Sequence, residues 1–249
     1  VTDVILLFLA GLLAGSMNAL AGGGSFVSLP ALISVGVPSV AANATSTLAL
    51  FPGGMASSWV YRDGVKSVCG VNVAAIAIVT VLGGVAGSLL LLLTPSRIFD
   101  GILPWLLLVA TLMLGAGPRL SVKLQTQARP NIPAFVAVQF LLGLYGGYFG
   151  GAVGLMMLAA WSVFGGGEIK SLNPTRMVMV TAANAVAVIV FVMAGAIVWQ
   201  QCIAMTFGAV IGGWIGAHVG RRLPSPIVRM LTLAVALLTT AVFFSRAYL

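Results

Sequence analysis

Charge is scarce in this sequence, and negative charge scarcer still: four acidic and twelve basic residues stand among 249, so 6% of positions are charged against 60% hydrophobic. That leaves too little polar surface to cover a water-soluble globule of this length, and the chain needs lipid as its solvent. Two cysteines, Cys69 and Cys202, and one histidine, His218, exclude a Cys/His metal centre and a disulfide framework. Both cysteines read as apolar fillers. His218, near a helix end beside Arg221 and Arg222, reads as structural or interfacial before it reads as a proton relay. The sequence has no Walker motif for ATP hydrolysis and no visible nucleophile with its base, so it is not expected to be an enzyme or to carry a metal or cofactor. Asp3, Asp63, Asp100 and Glu168 all sit near the ends of apolar runs, which gives no support to a carboxylate-centred cation site. The basic residues are spread through short connections, so the net charge of +8 reflects membrane topology and not nucleic acid binding.

What is present is a succession of long apolar runs. Val71–Leu93 and Met177–Ala194 are wide enough to cross a hydrocarbon core of about 30 Å at about 1.5 Å per residue. They lack the alternation of barrel strands and are too long for them, so the spans are helices. The N-terminal run carries Asp3 and no preceding basic residue, the wrong polarity for a cleavable signal, and is expected to stay as the first helix.

The chain also resembles itself. Gly83-Gly84-x-x-Gly87 followed by Pro95-Ser96-x-Ile98 recurs as Gly212-Gly213-x-x-Gly216 followed by Pro224-Ser225-x-Ile227, an offset of 212 − 83 = 129. Asn43-x-Thr45 recurs as Asn173-x-Thr175 (173 − 43 = 130), and Gly11 through Gly22 matches Gly143 through Gly154 at 132. Any one match could arise by chance in glycine-rich membrane sequence, but three in the same order at nearly one offset read as a duplicated unit. Each half then parses into five segments. They fall at about 3–21, 25–36, 39–60, 68–93 and 98–115, then at about 132–149, 155–164, 174–194, 199–219 and 227–245. Segments 25–36 and 155–164 are too short for an upright crossing; whether they re-enter or tilt across stays open.

Placing the connections 61–67, 116–131, 165–173 and 220–226 on one face gathers Arg62, Lys66, Arg119, Lys123, Arg129, Lys170, Arg221 and Arg222 there, with Arg176 and Arg229 nearby. By the positive-inside rule that face is cytoplasmic, and both termini lie outside. The expected fold is an all-α integral membrane protein of two inverted-topology repeats, with about 8–10 membrane helices counting the two short ones. A first transmembrane repeat spans 1–118, a cytoplasmic linker 119–131 and a second repeat 132–249.

Broken helices expose backbone N–H groups, and a helix N-terminus favours an anion. Gly22-Gly23-Gly24-Ser25 enters the first short segment, and Gly150-Gly151-x-x-Gly154 does so in the second half. A central cavity between the halves would draw donors from Gly22, Gly23, Gly24 and Ser25 and amides from Asn18 and Asn184. Close helix packing needs the same glycines and weighs equally. Asn43, Thr45, Asn173 and Thr175 lie in the first turns of the third helices, where caps are the plainer reading, above all for Asn173 before Pro174. Arg176 either attracts an anion at the cytoplasmic mouth or snorkels as a topology marker.

Gly11-x-x-x-Gly15, Asn18-Ala19-x-Ala21-Gly22-Gly23-Gly24-Ser25, Leu29-Pro30-Ala31-Leu32 and Ala42-Asn43-Ala44-Thr45-Ser46 resemble the TauE/SafE sulfite-exporter family of membrane permeases, as do the duplicated Gly-Gly-x-x-Gly segments. The resemblance covers essentially the whole chain. It implies a multi-pass protein of the bacterial inner membrane that moves sulfite, sulfonates or other small anions. The second half departs from the first where Gly-Gly-Gly-Ser becomes Gly154-Leu155-Met156-Met157 and Thr45-Ser46 becomes Thr175-Arg176, which argues against a symmetrical site. The expected function is alternating-access anion transport, with a passive anion channel or a non-transporting subunit as alternatives. The expected partners are the small anionic solute and the lipid bilayer; a homo-oligomer is compatible with the sequence.

Overall fold

A computed structural model describes residues 2–123, 131–164, 169–220 and 225–248. Every regular element among them is a helix: α1 (Thr2–Ala21), α2 (Ser25–Ser34), α3 (Ser39–Tyr61), α4 (Val73–Leu93), α5 (Ser96–Lys123), α6 (Ile132–Tyr148), α7 (Val153–Val163), α8 (Ile169–Met193), α9 (Trp199–Gly220) and α10 (Ser225–Tyr248), with a 3₁₀ turn at Arg62–Gly64. Five stretches, in α1, α4, α5, α8 and α10, are long and apolar enough to cross a membrane. At about 1.5 Å per residue, α2 and α7 are only about 15 Å long, half a hydrocarbon core. Arg129, Glu168, Arg221 and Arg222 lie outside the described residues, as do the side chains of Lys170 and Arg229.

The halves interlock instead of packing each on itself. α1 lies along α9 and, in the exchanged pairing, α4 along α6; α3 contacts α8, and α5 contacts α10. Glycine makes the first two crossings close. A Cβ at Gly208, Gly212 or Gly216 would meet the backbone of Phe8, Leu12 or Ser16, so α1 and α9 run in the same direction. Ser16 Oγ reaches the Gly212 carbonyl at 2.8 Å across that contact. Gly83 and Gly87 meet Phe140 and Leu144 in the same way, and Gly143 and Gly147 meet Thr80 and Gly84. Backbones this near leave no room for side chains, and that close contact substitutes for a hydrophobic drive that lipid does not supply.

The remaining cross-half pairs run in opposite directions. Thr181 donates to the Gly54 carbonyl at 3.1 Å while Ser58, one turn on, reaches the Met177 carbonyl at 3.1 Å and the Thr181 hydroxyl at 2.7 Å. Between α5 and α10, Trp105 Nε1 donates to the Tyr248 hydroxyl at 2.9 Å and the Thr111 and Thr240 hydroxyls meet at 2.9 Å.

Three boundaries differ from the sequence expectation. Residues 68–72 do not open the fourth helix: Val68 and Val71 exchange backbone hydrogen bonds in a tight turn, with φ of +53° at Cys69 and +76° at Gly70. α4 starts only after Asn72, whose side chain caps it by accepting from Ala75 N at 2.7 Å. α5 continues to Lys123. α8 begins at Ile169, so Pro174 sits inside the helix and Asn173 is not its cap. Burial of Leu172 against Trp161 and Met179 explains the extra turn, which packs as helix before the proline is reached.

Candidate functional site

The two glycine turns fall where the short helices begin. Gly22 and Gly150 take positive φ, +76° and +79°, a backbone shape that breaks α1 from α2 and α6 from α7. Around the first turn Gly24 is packed tightly: a Cβ there would lie 2.7 Å from the Ala14 carbonyl, 2.9 Å from Leu50 and 3.0 Å from Asn18. Gly23 is buried beside Thr232, and Ser25, the first residue of α2, is half-buried. Asn18 therefore stands against the first turn, and its amide makes no hydrogen bond among the described residues.

The second turn is chemically different. Arg176, Val180 and Asn184 occupy one stripe of α8 at four-residue spacing and face it in order. The Arg176 Nη1 lies 3.5 Å, and Val180 Cγ2 3.3 Å, from the position of a Cβ on Gly154, while Asn184 Oδ1 lies 3.6 Å from one on Gly150. Gly151 packs under the Phe149 ring. At the start of α7, Leu155 and Met156 N–H bond the Ala152 carbonyl, whereas the Val153 and Gly154 N–H groups have no partner among the described residues. Ala152, the N-cap, has φ of +56° and no side chain to satisfy them.

Arg176 thus places a guanidinium beside an uncapped helix start, where dipole and charge have the same sign. Its Nε is buried without a partner, and the hydrogen bond it makes among the described residues runs from Nη2 to Met177 Sδ at 3.1 Å. A sulfur is a weak acceptor for a cation. No carboxylate answers it: among the described residues Asp3, Asp63 and Asp100 are exposed, and Asp63 pairs with Arg62 at 3.7 Å. A partly buried charge with no charged partner is costly, and an anion lodged there would offset part of that cost.

Position 46, the repeat equivalent of Arg176 (176 − 130 = 46), shows the contrast. Ser46 is buried and its hydroxyl meets that of Ser28 at 2.6 Å, a closed pair.

The other sequence candidates hold the halves together. Asn43 donates to the Tyr148 carbonyl at 3.0 Å, where α6 breaks. Thr45 accepts from Val198 N at 3.1 Å, just before α9. Thr175 accepts from Lys66 N at 2.9 Å and donates to Lys66 O at 2.8 Å, in the connection before α4. These two threonines, 130 residues apart, each fasten the loop that enters the fourth helix of the opposite half.

Sequence reasoning missed what positions α7. Gln139, buried in α6, accepts from Trp161 Nε1 at 2.8 Å and donates to the Thr80 hydroxyl at 2.7 Å, which donates onward to the Ile76 carbonyl at 2.7 Å. The signal was there: Gln139 is the one amide in the apolar run 132–148.

Known proteins of similar sequence carry the name of membrane transporters. The chain is 28% identical over 238 residues to the "Probable membrane transporter protein ORF9" of Sinorhizobium sp, covering 93% of this chain and 90% of that protein. It is 27% identical to a "Probable membrane transporter protein" of Haemophilus influenzae, covering 95% and 92%. It is also 27% identical to the "Probable membrane transporter protein YfcA" of Escherichia coli K12, covering 87% and 79%. No solved structure matches the chain. The family described as "Sulfite exporter TauE/SafE" matches residues 7–243, and the chain belongs to that family.

Proposed function

We propose that this membrane transporter carries a small anion, sulfite or an organosulfonate, by alternating access, and that Arg176 with the Val153 and Gly154 amides forms its anion site. The observation that carries the reading is Arg176 at the uncapped start of α7, its Nε buried without a partner and its Nη2 bonded among the described residues to a sulfur. Asn184, about 12 Å further along α8, lines the continuation of the path past Gly150 and Gly151. Asn18, Gly22, Gly23, Gly24 and Ser25 form the corresponding uncharged face of the first half, and Asn43, Thr45 and Thr175 hold the frame around it.

The opposed directions of α3 and α8 and of α5 and α10, which occupy equivalent places in the two halves, support an inverted repeat. So does the common direction of α1 and α9, which parallel repeats would oppose. Rocking of two helix bundles, each drawn from both halves, would then expose the site to each side in turn. With Arg62 and Lys66 exposed after α3 and Arg119 and Lys123 exposed at the end of α5, that face is assigned to the cytoplasm and both termini to the outside, in the bacterial inner membrane.

Uptake of labelled sulfite into proteoliposomes containing only this chain tests the function, with sulfonates and sulfate as competitors. Saturable uptake, lost in Arg176→Gln at normal folded yield, is the expected result. Unchanged uptake by that variant removes Arg176 from the site, conductance far above carrier turnover makes the protein a channel, and no flux of any anion by folded protein makes it a subunit.

A further inference from the structure

Helix contacts divide the molecule differently from its repeat. α1, α2, α3, α9 and α10 pack on one another, as do α4, α5, α6, α7 and α8, and the two bundles meet mainly along two seams, α3 with α8 and α5 with α10. The second bundle is a continuous stretch of chain, so the backbone passes between bundles only twice, from α3 to α4 and from α8 to α9. Those two crossings are built alike. Each leaves its helix, runs four residues and is caught by a threonine of the bundle it is entering. Residues 62–65 follow α3 before Lys66, whose N–H and carbonyl both bond the hydroxyl of Thr175 in α8. Residues 194–197 follow α8 before Val198, whose N–H bonds the hydroxyl of Thr45 in α3.

Past the first catch the chain belongs to its new bundle: Val68 and Cys69 are buried with Ile76, Phe135, Trp161 and Met179 in a core drawn, among the described residues, from that connection and α4, α6, α7 and α8. Before the catch it does not. The backbone N–H bonds of Arg62, Val65, Ala194, Gly195 and Ala196 stay within the connection or run back to the helix before it, and Arg62, Asp63, Ala194 and Gly195 are exposed. Gly64 rests against Pro174 of α8.

We propose that 62–65 and 194–197 are the two hinges of the transport cycle, and that Thr175 and Thr45 are positioning residues that confine the bending to them. The moving bodies are the two bundles and not the sequence halves. This rests on the alternating-access reading and does not depend on what is carried. Because α3 and α8 run in opposite directions, one hinge stands at each end of their seam, as opening to each side in turn requires.

Spin-label distances in proteoliposomes test this by double electron–electron resonance, with Cys69→Ala and Cys202→Ala as background and labels on exposed helix positions. Leu13→Cys with Leu237→Cys spans the two halves within one bundle, and Leu13→Cys with Leu82→Cys spans the two bundles within one half. Saturating sulfite should add a second distance to the 13–82 pair and leave the 13–237 distance single. Thr175→Val and Thr45→Val should each broaden the 13–82 distribution without sulfite and leave 13–237 unchanged, while Thr175→Ser, which keeps the hydroxyl, should match wild type. Broadening in the valine variants with sulfite inert upholds the hinges and counts against sulfite as the solute. A 13–237 distance that shifts, or one unchanging distance at both pairs in every folded protein measured, overturns the proposal. A 13–82 shift with sulfite that folded valine variants leave as in wild type removes the threonines from the hinges.

Discussion

Gln139→Leu should loosen α7 from the rest of the second half, and its cost can be worked from the hydrogen bonds it breaks. The leucine leaves the Trp161 indole N–H, buried at 1% exposure, without an acceptor. The Thr80 hydroxyl keeps its bond to the Ile76 carbonyl, so only one donor is stranded. A stranded buried donor costs about 1–3 kcal/mol, and measured interhelical bonds in membranes average about 0.6 and reach about 1.7 kcal/mol. Taken together these give roughly 1–2 kcal/mol for Gln139→Leu. Trp161→Phe strands the other partner, the Gln139 carbonyl oxygen, at a similar cost. The double variant removes both, so it should be more stable than the sum of the single losses by about 1 kcal/mol. Unfolding in mixed micelles followed by circular dichroism measures all three variants without relying on the tryptophan signal. Because α7 carries the Val153 and Gly154 amides, anion affinity should fall in Gln139→Leu as well. Additive losses would show that the buried network does not hold α7, and the reasoning would fail.

Other perturbations probe the frame. Gly212→Ala puts a methyl group into the Leu12 carbonyl at the α1–α9 crossing and should cut folded yield sharply, whereas Gly53→Ala meets nothing within 4 Å and should express normally; comparable yields would refute the crossing. Thr45→Val strands Val198 N–H and should cost about 1–3 kcal/mol in the same unfolding assay, with a change near zero counting against the clasp. Cys69, in the connection before α4, has its thiol pushed up to about 11 by burial, from an ordinary 9.0. Between those values the unfolded chain has lost a proton that the folded chain keeps, so this group's contribution to stability falls as pH rises through that window. In a Cys202→Ala background, a thiolate-selective reagent should label the native protein more slowly than the unfolded protein at pH 9, and equal rates would contradict the burial.

The frame could be read from the sequence because its determinants are local. Gly22 and Gly150 announce positive φ, and the apolar runs between glycine turns have the lengths of the helices they form. Most boundaries came within a few residues for that reason. The errors arose where one local signal was allowed to override the repeat. Pro174 looked like the first residue of a helix, but α3 begins at Ser39, the offset of 130 points to 169, and the chain is already helical there. The site was harder to read because its parts are contacts across the fold. That Thr45 and Thr175 fasten loops of the opposite halves, or that Arg176 meets Gly154 and not a carboxylate, depends on which helices lie side by side, and residue spacing carries no such information.

The same frame holds two chemically different centres, and the difference fits a pathway better than symmetry would. In the first half Ser28 and Ser46 satisfy each other, so that centre asks nothing of a solute. In the second half Arg176 stands at the place of Ser46, a partly buried cation whose counter-charge the described residues do not supply. On the proposed function, a bound anion would offset the cost of an arginine where the first half has Ser46. Two identical charged centres would hold an anion twice along its route and slow its release. A single charged centre, with amides and backbone on either side, binds strongly at one point and weakly elsewhere. On the proposed alternating-access reading, that profile would let an anion leave as the site opens to each side in turn.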